Sequence, residues 1–206
     1  MGKRAFDLCM ALGALLVLSP LLAAVAIWIK SDSPGPVLFW QQRVGRHGRP
    51  FAILKFRTMR HEAVGEGSKI TIGADPRITR AGAFLRRYKI DEFPQFINVL
   101  RGEMSVVGPR PEVPHYVALY TPAQRDTVLS VRPGITDSAS LVFKDEAALL
   151  AEADDPEAFY VTVVMPAKLE HAAHYVATHS VLGDIKIVWR TARAIVARQK
   201  HLAREP

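Results

Sequence analysis

The feature that most limits how this chain can fold is the apolar run from Ala5 to Ile29, interrupted chiefly by Asp7 and by the pair Ser19-Pro20. Four readings compete for it. A secretory signal peptide would use Lys3-Arg4 as its basic start and Ala24-Val25-Ala26 as its cleavage site, but Ile27-Trp28-Ile29 carry the apolar character past that cut. A single transmembrane span needs roughly 20 apolar residues, which the length allows. Against it, Pro20 near the middle removes a backbone donor and clashes with the preceding turn. A buried core helix would show more polar surface. The flanks decide. Lys3 and Arg4 precede the run and Lys30, Arg43, Arg46 and Arg49 follow it, so the positive-inside tendency keeps both ends on the cytoplasmic side. A segment whose ends share a side enters, turns and leaves by one face. The expectation is a re-entrant membrane helix-hairpin over residues 1–30, broken at Ser19-Pro20, where Ser19 satisfies a freed backbone group.

Beyond residue 30 the expected fold class is α+β, predominantly helical with a small β-hairpin. Ser31–Pro36 is turn chemistry, and two short β-type runs around a glycine-bearing basic connection, ending at Phe56, read as the hairpin. Glu62–Gly73 reads as a loop whose Gly65-x-Gly67 lacks the context of a phosphate fingerprint. A helical stretch opens at Asp75-Pro76. A second helix begins at Asp91 as a capping residue, carries Pro94 in its first turn and stops at Gly102. Pro109-Arg110-Pro111 reads as an extended loop and Val131–Gly134 as a turn. Further helices are predicted at 112–120, 122–130, 144–153, 156–164, 166–179 and 184–199. Residues 31–206 show no further boundary, and form one expected domain with membrane-associated helices.

The formal charge of +7 suits lipid headgroups, nucleotide diphosphates and nucleic acid alike. Nucleic acid is disfavoured, because the basic tail (Arg190, Arg193, Arg198, Lys200, Arg204) has no interleaved aromatic beyond Trp189 and no accompanying motif. With one cysteine, Cys9, neither an intrachain disulfide nor a zinc finger can form. Glu170, His171 and His174 complete no ligand pattern and read as a solvated helix face. The last helix puts Ile185, Val188, Ala192 and Ile195 on one side and Lys186, Arg190, Arg193 and Arg198 elsewhere, which suits an anionic membrane surface and a core-packed helix equally.

Chemistry-bearing residues concentrate between Arg77 and Glu112. Arg77, Arg80, Arg86, Arg87 and Lys89 precede the adjacent acids Asp91-Glu92, and Arg101 and Arg110 follow. Two readings of the acids stay open. In one, Asp91 is a helix cap and Glu92 a first-turn acid favoured by the dipole. In the other, the pair holds Mg²⁺ against a diphosphate, with one carboxylate free to attack phosphorus and arginines neutralising the charge.

A set of ordered motifs favours the second. Lys55-Phe56-Arg57-Thr58-Met59, Asp91-Glu92-x-Pro94-Gln95, Asn98-Val99-Leu100-x-Gly102, Met104-Ser105-x-x-Gly108-Pro109-Arg110-Pro111, Arg132-Pro133-Gly134-Ile135-Thr136 and Asp184-x-Lys186 appear in this order after the apolar start with its Ser-Pro. The chain thereby resembles, over nearly its whole length, the monotopic phosphoglycosyl transferases of the bacterial sugar transferase superfamily. The resemblance implies a protein on the cytoplasmic face of the bacterial inner membrane. It would move a phosphosugar from a UDP-sugar to polyprenyl (undecaprenyl) phosphate through a covalent aspartyl intermediate, releasing UMP. It further implies that Asp91 attacks, that Glu92 with Asp91 holds Mg²⁺, that Arg86 meets phosphate and that Arg110 with Pro111 holds the nucleotide. Lys55, Arg57, Arg132 and Asp184 match motif positions with general substrate-site roles. Phe93 stands where leucine is more usual, and segment 137–180, which the resemblance implies as a place where sugar selectivity could be set, departs from shorter relatives, so the sugar is left open. The rival reading is a membrane-anchored basic binding module without catalysis.

Overall fold

The computed structural model describes residues 2–60, 75–143 and 146–202; the loop expected at Glu62–Gly73 falls outside the described residues. The chain is mostly helical, as expected, with two small sheets. Helix α1 (Gly2–Asp32) is followed by the antiparallel hairpin β1 (Leu38–Val44) and β2 (Pro50–Phe56), in register from Leu38 opposite Phe56 to Val44 opposite Pro50. His47 and Gly48, at φ 58° and 74° in the connection, supply the left-handed residues that close it.

Helix α1 runs as one helix through Pro20, so the chain is not broken into two helices at Ser19-Pro20 as expected. Ser19 Oγ bonds the carbonyl of Leu16 at 2.9 Å, one of the partners that make a proline tolerable inside a helix. Its burial is confined to the two ends. Asp7 and Ala11 are covered near the start and Val25 and Ile29 near the finish, each an i, i+4 pair on one face, while Leu16 (67%) and Val17 (78%) between them are exposed. Both ends fasten to the same body. At the start, Asp7 accepts from Ser105 Oγ and from the Val106 N–H, and Lys3 Nζ lies 2.6 Å from Asp184. At the finish, Asp32 accepts from the Ala81 N–H, and the buried Arg57 guanidinium donates to the carbonyls of Ile29, Ser33 and Pro34. A helix ends with four carbonyls that lack intrahelical partners, and Arg57 takes up that of Ile29 together with two carbonyls just beyond the helix.

Helix α2 (Arg80–Arg87) starts later than the predicted opening at Asp75, because Thr79 caps it by accepting from the Gly82 N–H, while the Asp75 carboxylate is occupied by Arg77. Gly82 lies so close to Thr58 that an added Cβ would sit 2.0 Å from the Thr58 carbonyl oxygen. Helix α3 (Gln95–Arg101) is capped by Pro94 and ended by Gly102 at φ 83°, the stop the sequence predicts. Strand β3 (Ser105–Val107) is followed by α4 (Pro114–Val117) and by α5 (Pro122–Val128), which opens on a Thr121/Gln124 capping box. Then β4 (Gly134–Thr136) pairs parallel with β3, where only a turn was expected. Helices α6 (Ala139–Val142), α7 (Glu146–Ala151), α8 (Pro156–Phe159), a π turn (Tyr160–Val164), α9 (Met165–Thr178) and α10 (Val181–Leu202) complete the order.

Three apolar clusters hold these pieces. One joins α4, α5, α7 and α9 through Tyr116, Val128, Leu150 and Leu169. A second binds α1 to the hairpin and β3 through Ala11, Ile53, Met104 and Val107. The third seats Val25 and Ile29 on Phe56 and Leu85. On α10 the expected apolar side is rotated: Ile187 and Val188 turn inward, whereas Leu182, Ile185 and Trp189 stay exposed.

Candidate active site

The site is built by a turn, a loop and a strand. Asp91 and Glu92 sit in a 3₁₀ turn (Ile90–Glu92) entered through Lys89, whose φ of 57° is a left-handed conformation unusual for a non-glycine residue. Asp91 is therefore not the helix cap: its side chain bonds no backbone N–H of the turn, and α3 begins only at Gln95. Both carboxylates are buried, at 7% exposure each. They meet different neighbours. Glu92 is gripped by Arg110 through two hydrogen bonds, 2.5 Å to Oε1 and 3.2 Å to Oε2, with Lys55 Nζ 3.6 Å from Oε1. Asp91 Oδ1 has no hydrogen-bond partner among the described residues.

The electrostatics follow from that contrast. Burial and the adjoining Glu92 push the Asp91 carboxyl above its ordinary value. Burial acts on Glu92 in the same direction, but Arg110 and Lys55 outweigh it and hold that carboxyl well below the usual range. Arg110 is correspondingly raised by Glu92. Desolvation brings Lys55 down to about 8 even though Glu92 opposes it.

Arg110 is aimed by its backbone. Its N–H donates to Asp137 Oδ2 at 3.2 Å, and the flanking Gly108 and Pro109 bond Thr136 and Gly134 across the β3–β4 ladder. Only glycine permits this approach, since a Cβ on Gly134 would meet the Gly108 nitrogen at 2.1 Å. That is the work of Arg132-Pro133-Gly134-Ile135-Thr136 near the site. Arg86 is held by Thr58 Oγ1 at 2.8 Å, with Asp91 near enough to stabilise its charge. The Pro111 carbonyl accepts from Arg43 at 3.0 Å.

Of the residues singled out in the sequence, Asp91, Glu92, Lys55, Arg86 and Arg110 therefore gather around the carboxylate turn, while Pro111 follows Arg110 and meets Arg43. Arg57, Arg132 and Asp184 do other work here. Arg57 closes the end of α1, Arg132 donates to the Gly102 carbonyl at 2.8 Å, and the fully buried Asp184 binds Lys3 and the Tyr175 hydroxyl. Arg43 and Thr58, present in the sequence only as a basic flank and a motif member, also shape the site, as do the left-handed Lys89 and Asp137. The conformation at Lys89 has no local signal, and Asp137 becomes visible only once β3 and β4 pair.

Glu92, Arg110 and Lys89 line a cavity of about 660 Å³ whose walls also include Phe93, Phe96 and residues of α4, α9 and α10. Asp91 is not among the lining residues. A cavity of this size accommodates a nucleotide-sized ligand. Among the described residues no three acidic, histidine or cysteine side chains converge on a point. A divalent ion would thus rest on two carboxylates and on phosphate oxygens brought by a substrate, which is how Mg²⁺ is ordinarily held; the orphaned Asp91 oxygen fits that donor set.

The chain that carries this buried acid pair, its cationic clamp and a long exposed apolar helix belongs to the bacterial sugar transferases, whose sequence pattern matches residues 1–198. It is 38% identical over 205 residues to a UDP-N-acetylgalactosamine-undecaprenyl-phosphate N-acetylgalactosaminephosphotransferase of Aeromonas hydrophila, covering 94% of this chain and 43% of that protein. It is 41% identical over 194 residues to the UDP-glucose:undecaprenyl-phosphate glucose-1-phosphate transferase of Escherichia coli K12, covering 92% and 39%. The exopolysaccharide production protein PSS of Rhizobium leguminosarum bv. phaseoli is 39% identical over 207 residues, with 96% of each chain covered. The chain thus spans about two fifths of the length of the first two relatives.

Proposed function

We propose that the chain is a phosphoglycosyl transferase that carries a phosphosugar from a UDP-sugar to polyprenyl phosphate through Asp91. The observation that carries this reading is the split environment of the acid pair: one carboxylate is clamped by hydrogen-bonded cations, and its neighbour is buried with an oxygen that no hydrogen bond occupies among the described residues. The Asp91 carboxylate turns toward the wall formed by Glu92 and Arg110, and one of its oxygens attacks the β-phosphorus. The bond from that phosphorus to the bridging oxygen breaks, UMP leaves with the electron pair, and an aspartyl phosphosugar remains. A phosphate oxygen of the lipid then attacks the same phosphorus, the aspartyl bond breaks, and the carboxylate is restored beside polyprenyl diphosphate sugar. Arg110, Arg86 and Lys55 bind phosphate oxygens and offset the negative charge that gathers in both steps. Bound Mg²⁺ would supply further charge neutralisation, held by Glu92 and Asp91.

The location we infer is the cytoplasmic face of the bacterial inner membrane, with residues 1–30 re-entrant and 31–206 forming the catalytic domain. Two observations support it. Both ends of α1 are fastened to one body while its apolar middle is uncovered, and the exposed Leu182, Ile185 and Trp189 stand among the basic residues of α10. At headgroup depth the site meets the acceptor's phosphate.

Incubation of detergent-purified protein with a UDP-sugar, without acceptor, is expected to add one phosphosugar to the intact mass. With Mg²⁺ present throughout, addition of undecaprenyl phosphate then discharges it. Asp91→Asn loses both the adduct and UMP release. Normal turnover by that variant removes the nucleophile assignment, and a wild-type protein that releases no UMP leaves the binding-module reading in its place.

A further inference from the structure

The cavity beside Glu92 and Arg110 has a second polar end that this chemistry leaves unused. It is lined by Arg43 of β1, Glu112, Glu146 of α7, Tyr160 of the π turn and Lys168 of α9. The Tyr160 hydroxyl donates to Glu112 Oε1 at 2.7 Å, and Arg43 Nη1 lies 3.6 Å from Glu112 Oε2. Lys168 Nζ is 2.6 Å from Glu146 Oε2 and stands 5.1 Å over the Tyr160 ring. The cluster is largely sequestered: Tyr160 is 4% exposed, and the Arg43, Glu112, Lys168 and Glu146 side chains lie between 14% and 28%.

Sequestered polar groups in an apolar cavity need partners, and these have bonding capacity to spare. An ammonium carries three donors, of which Glu146 takes one; the phenol oxygen and both carboxylates keep acceptor lone pairs. A mixed set of donors and acceptors around an aromatic ring matches a polyhydroxylated ring, whose every hydroxyl both donates and accepts. Its position agrees. Glu112 follows Arg110 by two residues, which places it within about 7 Å along extended chain. A sugar attached to a phosphate at Glu92–Arg110 must lay its far hydroxyls at such a distance.

We propose that this end of the cavity is the subsite for the sugar ring of the donor, and that Tyr160 and Lys168 set which UDP-sugar is used. The inference rests on the transferase reading. Both residues come from segment 137–180, so selectivity would be carried by a wall separate from the phosphate-handling residues.

The test is UMP release from UDP-glucose, UDP-galactose, UDP-N-acetylglucosamine and UDP-N-acetylgalactosamine, by wild type, Tyr160→Phe and Lys168→Met, with undecaprenyl phosphate and Mg²⁺. UDP serves as a competitive probe that lacks the sugar. The expected result is a change of at least about ten-fold in the ratio of kcat/KM between donors, since loss of a buried partner penalises the hydroxyl it served. UDP inhibition stays as in wild type. Equal losses on all four donors in both variants, or a parallel weakening of UDP, overturn the subsite while leaving the transferase intact. A wild-type protein inactive on every donor overturns the transferase reading and the subsite with it.

Discussion

Replacing Asp91 by asparagine should abolish transfer and make the folded protein more stable. The carboxylate is 7% exposed and one oxygen has no partner among the described residues, so its charge is held at a cost. An unsatisfied buried polar group costs about 1–3 kcal/mol, and more when charged. Lys55, Lys89 and Arg86 return part of that through their positive charge. The net gain for Asp91→Asn at pH 7 is then about 1–2 kcal/mol, which is roughly 2–8 °C in Tm for a chain of this size. The sign with pH follows from the raised carboxyl. Below its unfolded pKa of about 3.9 the group is neutral in both states and nothing is lost. As pH rises the unfolded chain ionises first, and wild-type stability falls until the folded carboxyl has ionised too. The advantage of the variant is therefore absent below about pH 4 and grows as pH rises above it. Thermal melting in detergent micelles at a series of pH values measures it. Glu92→Gln is the internal contrast: its carboxyl is depressed, so its stabilising charge is present above about pH 4.3 and lost as pH falls through the folded value. Breaking a buried pair costs about 3–5 kcal/mol, reduced here to about 2–3 because the Arg110 side chain is 34% exposed. An Asp91→Asn protein that melts below wild type at pH 7, or whose advantage persists undiminished below pH 4, would refute the claim that this charge is held at a net cost.

Three further outcomes are expected. With Lys55 titrating at about 8 and its cationic form binding phosphate, kcat/KM for UMP release should fall as pH rises through that value; Lys55→Arg should move this limb beyond the measurable range, and an unmoved limb assigns it to another group. Gly82→Ala drives a methyl into the Thr58 carbonyl, and should lower stability by at least about 2 kcal/mol and reduce transfer by displacing the partner of Arg86, read by melting and UMP release. Lys3→Met leaves the buried Asp184 with Tyr175 as its remaining side-chain partner among the described residues and should cost about 3 kcal/mol, most of it recovered in Lys3→Met/Asp184→Asn; additive losses in that cycle would show the pair is not coupled.

Much of this protein is written locally. The long apolar run, the hairpin around a basic glycine-bearing turn, the stop at Gly102 and the chain of ordered motifs each depend on neighbouring residues, so they could be read without a fold. Lys55, Asp91, Glu92 and Arg110 are legible for the same reason, as motif positions, and Arg86 through the family resemblance.

What those residues do was decided in three dimensions. Asp91 reads as a cap because capping acids look the same in sequence; the left-handed Lys89 and the 3₁₀ turn strip it of that role. Arg57, Arg132 and Asp184 carry charges as suited to substrate as any other, yet the elements that reach them are helix ends, so they tie α1, α3 and α10 in place. Pairing of β3 with β4 joins segments about 29 residues apart in sequence and aims Arg110, a contact no local pattern encodes because its stability depends on everything packed around the closed loop. The sequence determined which groups are present and that the chain starts with a lipid-compatible helix. Tertiary structure alone decided which charge is compensated and which is left free, since charges separated along the chain interact through space and through the burial that the whole fold imposes.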